Sequence, residues 1–201
     1  MEWQPEAPKW REVSYDTAAR DGRPFTELIR KKQFLPNPVM RFCTQHLKIE
    51  AMKRFHEDAL GITGQFTSVI GIRFDEPRRW RILGQDTRNS REFKSGPLVE
   101  ARIQLPTIKE FWAAQAFDLQ LRQDEGNCDL CFLKGFKKKI QIIRDRPDLA
   151  TWWVEQESAV TASGAGRWFR KDQPSYAAMA AQGDLFIDHD SDALVDCYCT
   201  D

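Results

Sequence analysis

The 201-residue sequence predicts an α/β fold with a helical, cysteine-rich C-terminal part. Three observations carry that prediction. Residues 67–73, TSVIGIR, form a largely apolar run, the pattern of a strand buried on both faces of a parallel sheet. Helix-patterned segments lie before and after it. The five cysteines fall at three places: Cys43 alone in RFCTQHLK, Cys128 and Cys131 as C-x-x-C in GNCDLCFLKG, and Cys197 and Cys199 as C-x-C near the last residue.

In chain order, residues 11–15 are a short strand candidate. Asp21-Gly22-Arg23-Pro24 is a turn that feeds a helix over 24–32, with proline where the first helical turn tolerates it. FLPNPVM interrupts the pattern. Thr44 is placed to cap a helix running to Ala59, with Leu47, Met52 and Phe55 on its buried side and Lys48, Lys53 and Arg54 elsewhere. Cys43 then lies at a helix N-terminus, whose free N–H groups and positive dipole end favour thiolate.

The strand at 67–73 runs into Arg73-Phe74-Asp75-Glu76-Pro77-Arg78-Arg79. Open α/β sheets bind ligands beyond the C-terminal ends of their strands, so Arg73, Glu76, Arg78 and Arg79 are candidates for holding a phosphate or sulfate. A solvated loop is the other reading of the same charge run. Residues 81–96 have little periodicity and read as an exposed excursion. Leu105-Pro106-Thr107 opens a helix to Ala116, with Phe111 and Trp112 on a core-facing side. After C-x-x-C come a helix over 132–144 and another from Pro147 carrying Trp152, Trp153, Glu155 and Glu157. SAVTASGAG then loosens the chain.

Thirty basic and thirty acidic residues leave a formal charge of zero, so the whole-protein field does not announce a nucleic-acid partner. The charge is uneven, with KGFKKK at 134–139 and six Asp but no Lys or Arg in 183–201. Seven Trp, thirteen Phe and 41% hydrophobic residues exclude a disordered chain. No apolar run has membrane length, and Met1-Glu-Trp-Gln-Pro-Glu lacks the regions of a signal peptide, so the expected compartment is the reducing cytoplasm, with no membrane partner. There, closely spaced cysteines are metal ligands or redox thiols more than disulfides, and an odd total fits pairing poorly. Four such sulfurs complete a tetrahedral zinc site or a cubane cluster. Ordinary buried thiols are the alternative. His46, His56 and His189 are too scattered for a metal triad.

PFTELIRKKQFLPNPVMRFCTQHLKIEAMKRF, VIGIRFDEPRR, PLVEARIQLPTIKEFWAAQAFDLQL, GNCDLCFLKGFKKKI and WWVEQE, taken in order, resemble blocks of the phosphoadenosine-phosphosulfate reductase family. The similarity covers 13–157 and points to the iron–sulfur branch of phage and bacterial type, near the DNA-phosphorothioation sulfurtransferases. It implies a partial three-layer sheet like that of the adenine nucleotide hydrolases, with helices on its faces. In adenylyl-sulfate reductases of that family a Cys-Cys pair four residues before a Lys joins a later C-x-x-C to hold a [4Fe-4S] cluster. The matching positions are Cys43-Thr44, Lys48, and Cys128 with Cys131. Thr44 replaces the fourth ligand, and Cys199 or Cys197 is the natural substitute. Attraction between the Asp-rich end and KGFKKK gives that return a physical reason, although a frayed acidic terminus is the alternative.

The resemblance divides the chain into an incomplete reductase-like domain over 1–157 and a linker with an acidic tail over 158–201. The family's Ser-Gly-Gly-x-Asp-Ser phosphate loop has no counterpart, so binding of an adenine sulfonucleotide or ATP is expected only if that loop is supplied elsewhere. The implied activity is sulfonucleotide reduction or sulfur transfer, with Lys48, Arg73, Glu76, Arg78 and Arg79 toward the substrate and Cys43, Cys128, Cys131, Cys199 and Cys197 toward a [4Fe-4S] cluster or zinc. Six nearby Asp residues disfavour the terminal C-x-C as a nucleophile, and no catalytic residue is assigned. A non-catalytic iron–sulfur or zinc module that binds protein or nucleic acid, with Lys137–Lys139 as its basic patch, is the alternative function.

Overall fold

A computed structural model of the chain describes residues 1–85, 91–118, 120, 128–160 and 164–181. Helices dominate, with two small sheets, which makes the chain a mixed α/β protein. It divides into two units, one holding Met1–Phe55 and the described residues after 121, the other the described residues between 56 and 121.

The first unit opens with β1 (Glu2–Trp3) antiparallel to β2 (Trp10–Arg11), a ladder in which Glu2 stands opposite Arg11 and pairs with it, the guanidinium Nε lying 2.8 Å from the carboxylate. The strand expected at 11–15 is therefore shorter, since β1 offers only two residues to pair, and Ser14 instead closes a turn with Thr17. Helix α1 (Arg23–Lys32) starts where expected. Its cap, Gly22, takes φ 75°, and the indole of Trp152 lies where a Cβ would go, 2.6 Å away.

Helix α2 (Phe42–Thr44) passes through a π turn (Gln45–Glu50) into α3 (Ala51–Asp58). Thr44 is thus helical and buried, and Arg41 occupies the cap position. The π turn adds a residue to the helical repeat and rotates α3 by about 100° relative to an uninterrupted α-helix. As a result Ala51 faces the core, and Met52, expected there, is exposed. Phe55 packs edge-on against Trp10, at 5.1 Å between ring centres.

The second unit is built on β3 (Phe66–Val69), α4 (Pro77–Gln85) and β4 (Glu92–Ser95), a strand-helix-strand connection whose two strands pair in parallel, Phe66 beside Glu92 and Val69 beside Ser95. Helices α5 (Pro97–Glu100) and α6 (Leu105–Ala113) follow. The excursion expected at 81–96 is in its described part the end of α4 and then β4; the Arg-rich start of α4 hides an ordinary helix opened by Pro77. Nor is the pair covered on both faces: among the described residues the sheet has two strands, and Val69 of β3 is 72% and Phe93 of β4 55% exposed. Phe111 and Trp112 also depart from the expected core role, at 56% and 41% exposed, and Trp112 meets Phe117 edge-on.

The chain returns to the first unit through the Cys128–Cys131 turn. Helix α7 (Phe136–Asp145) begins four residues later than expected, because Cys131–Lys134 close a turn first. A 3-10 turn (Pro147–Leu149) leads to α8 (Ala150–Ala159), and α9 (Tyr176–Ala181) is the last described element. Residues 168–181 are not a loose tail. Phe169, Tyr176 and Met179 are fully or almost fully buried with Leu28, Leu130, Phe132 and Trp153. Trp153 stacks on Tyr176 at 5.1 Å and meets Phe169 at 4.9 Å, and Phe169 stacks on Phe132 at 5.9 Å, so aromatic packing joins α8, α9 and the segment after C-x-x-C.

Candidate functional site

The C-x-x-C turn is fixed to the core from both sides. Leu130 and Phe132, flanking Cys131, are buried to 1% exposure or less, so their packing orients the turn. The Cys131 amide donates to the Cys128 carbonyl at 3.4 Å, and the Lys134 amide donates to the Cys131 carbonyl at 2.8 Å. From α9 the Tyr176 hydroxyl donates to the Leu130 carbonyl at 2.5 Å, and the Arg170 guanidinium reaches the Phe132 carbonyl at 3.4 Å. Cys131 is buried and Cys128 exposed, the arrangement of a pair that presents one thiol to solvent and one to the interior.

Lys139 is fully buried in the same region. Its ammonium donates to Gln173 Oε1 and stands 5.4 Å from the centre of the Tyr176 ring. Burial, with help from the nearby Arg170 charge, brings its pKa down to about 8, while Cys131, Asp172 and Glu157 pull the other way. Burial raises the Glu157 carboxyl although that group accepts the Tyr176 amide at 2.8 Å. The Tyr176 phenol is pushed well up by burial and then by Cys131 and Glu157. Arg170 and Asp172 bind each other through two hydrogen bonds, one of 2.7 Å, and that contact lowers the Asp172 carboxyl.

Lys139 and Glu157 are the residues that sequence reasoning misplaced or passed over. The signal was present. Phe136, Lys139, Ile140 and Ile143 follow the i, i+3, i+4, i+7 pattern of one helix face, and Ala150, Trp153 and Glu157 do the same on α8. Lys139 therefore does not belong to an exposed basic patch. Lys134 is buried too, and Lys137 is exposed.

Cys43, in α2, is half-buried against the core of the same unit. Among the described residues no group of three or more His, Cys, Asp or Glu is arranged to hold a metal ion, and Cys197 and Cys199 lie outside the described residues. The donor chemistry at the turn fits a soft thiolate-bound centre in one respect, two thiols at metal-binding spacing. Lys48 is exposed on the π turn of this unit, where His46 pairs with Glu50.

The other candidate anion ligands lie in the second unit, between β3 and α4. Glu76 gathers them: it accepts the Arg73 amide at 3.0 Å and the Arg79 guanidinium at 2.6 Å. Arg73 also donates to Asp75 at 2.9 Å, and Asp75 accepts the Leu105 amide at 3.3 Å. Slight burial raises the Asp75 carboxyl, but these hydrogen bonds outweigh it and leave it below its ordinary value. Arg78 is exposed at the start of α4. Arg73, Asp75, Glu76 and Arg79 thus turn their charges largely on one another, while Lys48 belongs to the first unit.

Fold and site define a mixed α/β chain with a core-anchored C-x-x-C turn. No family model matches it, and no solved structure does. Over 134 residues, 64% of its length, the chain is 29% identical to the "Uncharacterized nin region protein ORF290" of Escherichia phage lambda, of which it spans 41%. No described helix is long and apolar enough to cross a membrane.

Proposed function

We propose that this chain is a sulfonucleotide-reductase-like or sulfurtransferase-like protein of the cytoplasm that acts on an activated adenylyl sulfur species, with a cysteine-bound [4Fe-4S] cluster as its resident centre and zinc as the alternative occupant. The observation that carries the reading is the C-x-x-C turn fixed in the core. Cys128 and Cys131 would supply two sulfurs, Cys43 a third, and Cys199 or Cys197 the fourth. When bound, such a centre supplies electrons or, as zinc, rigidity. The three-layer nucleotide-hydrolase-like sheet belongs to the same proposal. The parallel pair β3 and β4 supports it, and so do the arginines at the strand's C-terminal end, where such sheets receive anions.

Metal and colour measured together on anaerobically purified protein test the centre. The expected result is a brown protein with broad visible absorption that Cys128→Ser abolishes. Colourless protein with one zinc would eliminate the cluster and keep the ligand set. A second reading, a non-catalytic metal module that docks a protein or nucleic acid, is favoured by the pairing of Arg73 and Arg79 with Glu76 and by the exposed Phe111 and Trp112. Titration with adenylyl sulfate and ATP separates the two. Nucleotide binding by metal-loaded protein would overturn the module reading, and absence of binding even when a chain carrying the phosphate loop is supplied would select it.

A further inference from the structure

We propose that the cleft between α1 and α8 is a binding site for a short peptide with free ends. The cleft has a volume of about 480 Å³, within the range of about 300–1,000 Å³ usual for small-molecule sites. Arg23, Glu27 and Arg30 stand on one stripe of α1, at i, i+4 and i+7, and Trp152, Glu155 and Gln156 on one stripe of α8, at i, i+3 and i+4. Ile29 and Val160 are buried and supply an apolar floor. The indole Nε1 of Trp152 donates to Thr26 Oγ1 at 2.9 Å and ties the two helices together at this cleft.

Gln156 is the residue that points to a ligand. It is 5% exposed, its side-chain amide has no hydrogen-bond partner among the described residues, and the surface it retains opens on the cleft. A buried amide is costly until something meets both its donor and its acceptor. A peptide group offers the two together, a carbonyl and an N–H. The ends of a short peptide answer the charges. Among the described residues Glu27, Arg30 and Glu155 form no ion pair, unlike Arg73, Glu76 and Arg79 between β3 and α4. A purely anionic ligand would meet Glu27 and Glu155, and a purely cationic one Arg23 and Arg30, which leaves a molecule carrying one carboxylate and one ammonium.

The test titrates the full chain with glycyl-leucyl-glycine while nitrogen–proton NMR spectra follow the Gln156 side-chain amide and the Trp152 indole N–H. Both signals are expected to shift and saturate. Gln156→Leu, read at Trp152, should weaken binding about tenfold through the lost hydrogen-bonded amide, and should raise the thermal unfolding midpoint of the peptide-free protein because the unmatched group is gone. The double variant Arg30→Ala, Glu155→Ala changes only exposed residues; it should also weaken binding and serves if Gln156→Leu does not fold. The same peptide acetylated and amidated lacks both charges and should bind more weakly than the free form. Equal binding of the two forms overturns the zwitterionic class. Adenosine offers Gln156 a donor and an acceptor edge without charge, so a shift with adenosine and none with the peptide overturns the peptide assignment. No shift at either signal up to the solubility of the peptide, or wild-type affinity in Gln156→Leu, overturns the site.

Discussion

Lys139 occupies a position that helix geometry assigns to the core, and its charge makes that burial conditional on pH. The native pKa is about 8 against an ordinary 10.5. Below about pH 8 both folded and unfolded chains carry the proton, and the full cost of burying the cation is present. Between about 8 and 10.5 the unfolded chain binds the proton and the folded chain does not, so stability rises with pH across that window. The pKa difference corresponds to an upper bound of roughly 3 kcal/mol. Metal-free Lys139→Met is expected to be more stable than wild type at pH 7 and to lose the advantage by pH 10.5, as read by denaturant unfolding at several pH values. Equal pH profiles would refute the assignment. Tyr176 has the reverse character, since its hydroxyl satisfies the Leu130 carbonyl at 2.5 Å in a buried setting. Tyr176→Phe leaves that carbonyl unmet and should cost about 1–3 kcal/mol by the same measurement.

At the scale of elements, legibility in the sequence followed the strength of the local signal. Helix α1 was legible because Gly22, Pro24 and an apolar stripe agree, and the C-x-x-C stood out by spacing alone. The π turn at Gln45–Glu50 was not, because its sequence is ordinary helix and only the exposure of Met52 beside buried Ala51 reveals the added residue. Helix α4 was hidden by its arginines, and β4 by its four-residue length. The seam between them can be tested with two glycines. A Cβ on Gly96 would stand 2.6 Å from the Trp80 ring, whereas one on Gly84 meets nothing within 4 Å. Gly96→Ala should destabilise by about 1–3 kcal/mol through overpacking. Gly84→Ala, inside α4, should stabilise by about 0.5–1 kcal/mol through the reduced entropy of the unfolded chain. Calorimetric midpoints that move the same way for both would contradict this packing.

At the scale of the whole molecule, the two units divide the candidate chemistry. Cys43, Cys128, Cys131, Lys139 and Lys48 belong to the first, and Arg73, Glu76, Arg78 and Arg79 to the second. Sequence order could not show this division, because the first unit is assembled from both ends of the described chain and its core joins Leu28 and Phe42 to Trp153 and Tyr176. Long-range assembly of that kind leaves no local pattern in composition or periodicity. It does have a thermodynamic consequence. A ligand that binds only the folded form stabilises the cooperative unit that contains its site. If the metal is held at Cys128 and Cys131, stripping it from loaded protein should accelerate backbone hydrogen exchange at 128–145 and 176–181, which share a core with the turn. Exchange in β3 and β4, whose hydrogen bonds lie within the second unit, should change little. A uniform rise across both units would mean that the chain unfolds as one cooperative body. A rise confined to β3 and β4 would place the metal away from the C-x-x-C turn.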